Sequence, residues 1–240
     1  MSTCAQEKYW VYFSDKKGVT FDPKEYFHPN AIERRIKNNY PINHFSDRPL
    51  VKSYVQEVSG LASLCKGVSR WLNAIVVTAN DAQIEQIREL PFVLKIEASS
   101  CHSVVCTSEE INVTHNDFEK RDLIRFQLDR MNAHQFKEHG ITGRGLTIAI
   151  FDAGFPGVDK APMFEHIRAR DGIIGTYDFI RNTDNVYRKI EHGSMVFSCI
   201  AGVTKDSLRL GVATGANFLL AITEKLMKEG LAEEEAWLFA

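Results

Sequence analysis

Apolar residues in this chain fall into short runs separated by polar punctuation, and the runs predict alternating strands and helices. Tyr9, Trp10, Val11, Tyr12 and Phe13 form an aromatic and β-branched run that fits a strand, and Gly18 closes the turn after it. A helix is predicted over 29–39, with Pro29 in its first turn and Pro41 beyond its end. Its stretch 33–37 is charge-rich and reads as a solvated face. A second helix is expected to start at Asp47 and Pro49. Leu50, Tyr54, Val55 and Val58 then share one face, and Gly60 is the stop. A strand follows over 71–78. Asn80 with Gln83 three residues on fits a capping box, Ile84 and Ile87 face inward, and Pro91 ends that helix. Residues 92–97 make a closing strand. Residues 7–97 therefore read as an α+β unit of ferredoxin-like type, with helices on one face of an antiparallel sheet.

The pattern then breaks. Residues 98–126 are rich in Ser, Thr, Cys, Glu and Asn with poor hydrophobic periodicity, which predicts a linker open to cleavage. A helix is expected over 129–139, stopped by Gly140. The run Leu146, Thr147, Ile148, Ala149, Ile150 and Phe151 before Asp152 predicts a strand buried on both faces, as in a parallel α/β sheet. Gly143 and Gly145 lead into it, and Gly154, Pro156 and Gly157 lead out. Asp171-Gly172 and residues 177–180 suggest another strand or hairpin. Residues 191–202 are small and apolar all round, which predicts a buried helix stopped by Gly202. A strand over 217–222 and a helix over 231–240 complete the series. Residues 127–240 thus form a second, α/β unit. Trp237, Leu238 and Phe239 need a packing partner.

Composition removes several classes of function. The 240 residues are 44% hydrophobic and 25% charged, ordinary globular values, and suffice for two small domains. Twenty-nine basic against 31 acidic side chains give a net charge of −2. No basic stripe points to nucleic acid, and no apolar run reaches membrane-spanning length. Cys4, Cys65, Cys101, Cys106 and Cys199 are odd in number and lack zinc-ligand spacing. The first residues show neither a charged nor an apolar leader segment. Asp159, Asp171, Asp178 and Asp184 lack EF-hand spacing and read best as solvated loop carboxylates. Arg168 and Arg170 read as surface.

The candidate chemistry lies at two positions. Asp152 stands where a strand ends and a loop begins, the edge of an open α/β sheet where ligands collect. It either caps the next turn or has a functional partner. His192 stands at the start of a helix, whose positive end disfavours the imidazolium. Residues 143–155, containing Asp152, resemble the aspartate motif of the subtilisin-like serine proteases. Residues 192–202 resemble their histidine motif, and 211–222 resemble the "GVAP" strand that follows. The Asp-then-His order is that of the subtilisin triad. Ala153, Met195 and Phe197 depart from the usual residues. The unit 7–97 is similar to that family's N-terminal propeptide, which assists folding and inhibits the protease.

The resemblance implies an α/β chain with an inhibitor-like propeptide, followed by an incomplete parallel-sheet catalytic domain carrying Asp152 and His192. It implies a protein or peptide substrate, an intramolecular propeptide–catalytic domain contact and an extracellular or cell-envelope setting. It implies no cofactor, and leaves calcium as a candidate structural ion. A start codon placed inside a leader segment would reconcile secretion with the first residues. The family's nucleophile motif, "GTSM", does not occur here. Ser194 adjoins His192 in the wrong context, and Asn217 sits in the wrong motif for the oxyanion asparagine. The expected function is a serine endopeptidase lacking its nucleophile in this chain. One alternative is a non-catalytic fragment that binds or inhibits proteases through residues 7–97. Another is a doubly wound domain with Asp152 as a nucleotide or phosphoacceptor site, which lacks a Gly-rich phosphate loop.

Overall fold

The computed structural model describes residues 7–98, 117–188, 190–224 and 231–240. The chain divides into two compact units, Met1–Cys101 and His102–Leu238. Each has its own hydrophobic core.

In the first unit the elements run β1 (Glu7–Phe13), α1 (Pro23–Tyr26), α2 (Pro29–Lys37), α3 (Lys52–Leu61), β2 (Leu64–Ser69), β3 (Ala74–Ala79), α4 (Asp81–Arg88) and β4 (Val93–Ala98). The sheet order is β2-β3-β1-β4, antiparallel throughout, which is the ferredoxin-like arrangement expected from the sequence. Tyr9, Val11 and Phe13 alternate onto the face that also buries Ile75, Val77, Val58 and Ile87. The capping box at Asn80 and Gln83 is present in both directions.

Four details differ from the sequence reading. β2 was not anticipated: it is short, half exposed, and slips register between Cys65 and Gly67, so its pattern is weak. β3 starts at Ala74 rather than at 71, because Asn73 adopts φ 51° and turns the chain. Asp47 does not start α3. It lies in a 3-10 turn, where Arg35 grips it through both carboxylate oxygens at 2.5 and 2.9 Å. The 33–37 stretch is thus not wholly a solvated face, since Arg35 also lies over the Phe27 and Tyr40 rings.

In the second unit the elements are α5 (Asp117–Arg130), α6 (Ala133–Glu138), β5 (Thr147–Asp152), α7 (Glu165–Arg168), β6 (Ile173–Asp178), α8 (His192–Ala201), β7 (Asn217–Ile222) and α9 (Leu231–Phe239). Ten residues of the expected linker, 117–126, are helical in α5, and residue 98 ends β4; residues 99–116 lie outside the described residues. Asn132, at φ 51°, separates α5 from α6.

Among the described residues β5, β7 and β6 form a parallel sheet with β7 in the centre. β5 is not buried on both faces. Ile150 and Asp152 are buried whereas Thr147 and Ala149 are exposed, so one face meets the core and the other does not. The buried face packs on α8 through Phe218 and Phe197, whose rings lie 4.6 Å apart; Phe197 in turn stacks on Phe164 at 4.8 Å. This explains why an aromatic residue stands at 197: it fills the space between two other buried rings. Trp237 of α9 is 58% exposed and meets Phe151 edge-on at 6.1 Å.

Candidate active site

Parallel pairing sets the site. Asp152 of β5 and Asp178 of β6 both register against Ile222 of the central strand, so two strand-terminal carboxylates flank one point on the sheet edge. Both are buried. A buried carboxylate needs compensation, and each has found a different kind.

Asp152 meets His192. The imidazole Nδ1 lies 3.0 Å from Oδ1 and 2.9 Å from Oδ2. Oδ1 also accepts the backbone N–H of Ala153 at 2.7 Å. The turn-capping role and the histidine-holding role considered for Asp152 are therefore filled together by one carboxylate. An ionised carboxylate only accepts, so Nδ1 carries the hydrogen. In the neutral ring this leaves Nε2 bare and able to accept a proton. The Asp152 side chain is 5% exposed and that of His192 is 62% exposed, so the carboxylate end of the pair is dry and the imidazole end is open to solvent.

Two glycines make that approach possible. A Cβ on Gly193 would lie 2.4 Å from the Gly154 carbonyl oxygen and 2.9 Å from the Asp152 Cβ. A Cβ on Gly154 would lie 2.4 Å from the Arg188 carbonyl oxygen. The first turn of α8 and the loop after β5 thus touch backbone to backbone.

The other residues considered from the sequence lie elsewhere. Ser194 Oγ donates to the Pro156 carbonyl at 2.8 Å. Asn217 pairs with Thr147 at the opposite end of the sheet from Asp152, about 17 Å away at roughly 3.3 Å per residue. Its Oδ1 accepts from Arg170 at 3.0 Å. Arg170 is exposed, as the surface reading has it, and Arg168 is half-buried; both bind carbonyls, those of Val158 and Ala161 for Arg168 and those of Thr214 and Ala216 for Arg170. Asp178 is not solvated. Its Oδ1 accepts from the N–H groups of Ile180 and Arg181, and its Oδ2 from the Arg188 guanidinium at 2.6 Å. Sequence reasoning passed over Arg188. The available signal was an Asp closing an apolar run with an Arg ten residues on, which is weak by itself. Among the described residues no three His, Cys, Asp or Glu side chains cluster as a metal site.

The comparisons with known proteins agree with the first unit. Residues 8–116 match the family model described as the peptidase S8 propeptide domain of Bacteroidota. Over those residues the propeptide resemblance read from the sequence is borne out. No curated protein matches the chain. Among solved structures, it is similar to a mutant of the epidermin leader peptide processing serine protease (EpiP) from Staphylococcus aureus, at 13% identity and a TM-score of 0.48. That similarity covers 96% of this chain and 46% of the other, so the chain spans less than half of that protein's length. No helix among the described residues is long and apolar enough to cross a membrane.

Proposed function

We propose that this chain carries the propeptide and the Asp–His half of a subtilisin-type serine endopeptidase, with Asp152 and His192 as catalytic residues. The observation behind this reading is the buried Asp152 carboxylate holding Nδ1 of an open imidazole. In such a triad the bare Nε2 takes the proton of a serine hydroxyl as that oxygen attacks the peptide carbonyl. Asp152 orients the ring and stabilises the imidazolium that forms, and the same proton then passes to the leaving amine. Ser194 is engaged with Pro156 and is a poor candidate for the nucleophile. A serine and the oxyanion donors come from sequence other than the residues described around His192, and the 240 residues alone do not hydrolyse peptides. The first unit acts as folding aid and inhibitor of the protease, in an extracellular or envelope setting.

The test is to read the gene on both sides of this frame and express the whole protein. A downstream Gly-Thr-Ser-Met segment is expected. Hydrolysis of a peptide library should fall by about 10⁴ in kcat with Asp152→Asn. Full activity in that variant would end the reading.

A second reading rests on the first unit's own core and complete four-stranded sheet. It is a protease-binding inhibitor acting without catalysis. Reading the frame past residue 240 separates the two: a Gly-Thr-Ser-Met segment supports the protease, whereas this reading requires inhibition of a subtilisin-type protease in trans with no such segment following.

A further inference from the structure

We infer that the buried Asp178–Arg188 ion pair is a positioning pair, which holds the segment delivering His192 against Asp152. The segment between β6 and α8 has little regular structure, yet it must place an imidazole to within a hydrogen bond. Its start is tied down by Asp178, which caps its own turn through Ile180 and Arg181. Its end is tied back to the same carboxylate by Arg188, four residues before His192. The Asp178 side chain is 3% exposed and that of Arg188 is 27% exposed, so the carboxylate is sealed from solvent while the guanidinium is half-buried over it.

The backbone of this segment lies directly on the loop that follows Asp152. The Val186 carbonyl accepts the N–H of Phe155 at 2.9 Å, and Val186 and Phe155 are both fully buried. The Arg188 carbonyl fills the space where a Cβ of Gly154 would stand, and the Gly154 carbonyl fills the space where a Cβ of Gly193 would stand. Arg188, Gly154 and Gly193 therefore form a stack with no slack, and Asp152 and His192 belong to its last two layers. The Arg188 side chain is the fixed end of that stack. Without it, the backbone at 188 keeps only its local bonds, from the Ile190 N–H to its carbonyl and from its own N–H to Val186, and the first turn of α8 shifts with it. The Arg188 side chain bonds Asp178 and not the Asp–His pair, so its effect passes through the backbone.

The inference rests on the Asp–His reading for its consequence in hydrolysis, but it can be tested without hydrolysis. In the full chain, two-bond nitrogen–proton correlation of the His192 ring reports which nitrogen carries the hydrogen. The native protein should show Nδ1–H as the major tautomer. Removing Arg188 alone would leave Asp178 buried and uncompensated and could unfold the unit. The double variant Asp178→Asn/Arg188→Leu avoids this. The amide oxygen keeps the turn bonds to 180 and 181, and no charge is left unpaired. With circular dichroism and melting cooperativity retained, this variant should lose the Nδ1–H majority. Arg188→Lys, which keeps the charged anchor, should retain it. A double variant that folds and keeps the native tautomer overturns the inference. Asp152→Asn separates the two failures: where it loses the Nδ1–H majority and the double variant keeps it, the clamp alone falls; where it too keeps the majority, the Asp152–His192 contact falls and the clamp with it.

Discussion

Gly193 and Asp152 are packed so closely that a methyl group on the glycine would stand 2.9 Å from the aspartate Cβ. That contact brings the first turn of α8 within hydrogen-bonding distance of the strand end, and it makes the site sensitive to one added carbon. Gly193→Ala should cost about 1–3 kcal/mol by overpacking. It should also weaken the Asp152–His192 contact. A thermal melt and His192 ring chemical shifts check both; an alanine variant with native stability and native shifts would contradict the packing account.

Ser194 should not behave as a nucleophile. Its hydroxyl is donated to the Pro156 carbonyl. A fluorophosphonate probe added to the chain is expected to leave Ser194 unlabelled, as read by peptide mass mapping. Ser194→Ala should lower stability by about 1 kcal/mol, the usual worth of one hydrogen bond. Stoichiometric labelling at 194 would reassign the role.

The first unit should lose stability in acid through Asp47. Its hydrogen bond with the Arg35 guanidinium holds the carboxyl below the usual carboxylate range. A group whose folded pKa is depressed contributes its full stabilisation above its unfolded pKa, about 3.9 for Asp. That contribution is lost as the pH falls through the lower folded value. Arg35→Met should remove this part of the acid transition. It should also cost about 3–5 kcal/mol at neutral pH, because a buried carboxylate loses its bidentate partner. Urea melts from pH 7 to pH 2 measure both effects.

Lys16 should act in the opposite range. Its ammonium is buried, and Nζ donates to the carbonyls of Phe45 at 3.0 Å, Arg48 at 2.6 Å and Arg70 at 2.6 Å. Burial, and then the nearby Arg70 charge, lower its pKa to about 8. Between that value and the unfolded value, about 10.4, the unfolded chain binds more protons than the folded one. Stability therefore rises with pH across that window. Tyr12 works against it higher up. Burial, reinforced by Glu97, pushes its phenol to about 12, so above roughly pH 10 the folded state holds the extra proton and stability falls. Melts from pH 7 to pH 11.5 should show a rise and then a fall. Lys16→Met should abolish the rise, and persistence of the rise in that variant would point to another group.

Much of both units was legible along the chain, and for identifiable reasons. The period-two alternation of residues 9–13, the capping box at Asn80 and the apolar runs before Asp152 and over 217–222 are local signals, so the elements they predict are present. The element ends at Asp152 and His192 were legible from their patterns, whereas the pairing of the two was expected from the resemblance of their motifs to a known triad. What escaped was carried by single polar side chains with distant partners. Asp47 looked like a helix start and is a counterion for Arg35. Asp178 looked solvated and is sealed under Arg188. β2 escaped because a half-exposed, bulged strand leaves almost no period to read.

The sequence by itself determined which segments become strands and helices, since propensity, period and capping act over a few residues. It also placed an aspartate and a histidine at element ends, in the order of a known triad. Only the tertiary structure decided that Asp152 and Asp178 share one edge, because parallel pairing joins residues that no short-range pattern links. It alone decided that one carboxylate holds an imidazole and the other a guanidinium, because the cost of a buried charge is set by what surrounds it and not by its neighbours in the chain.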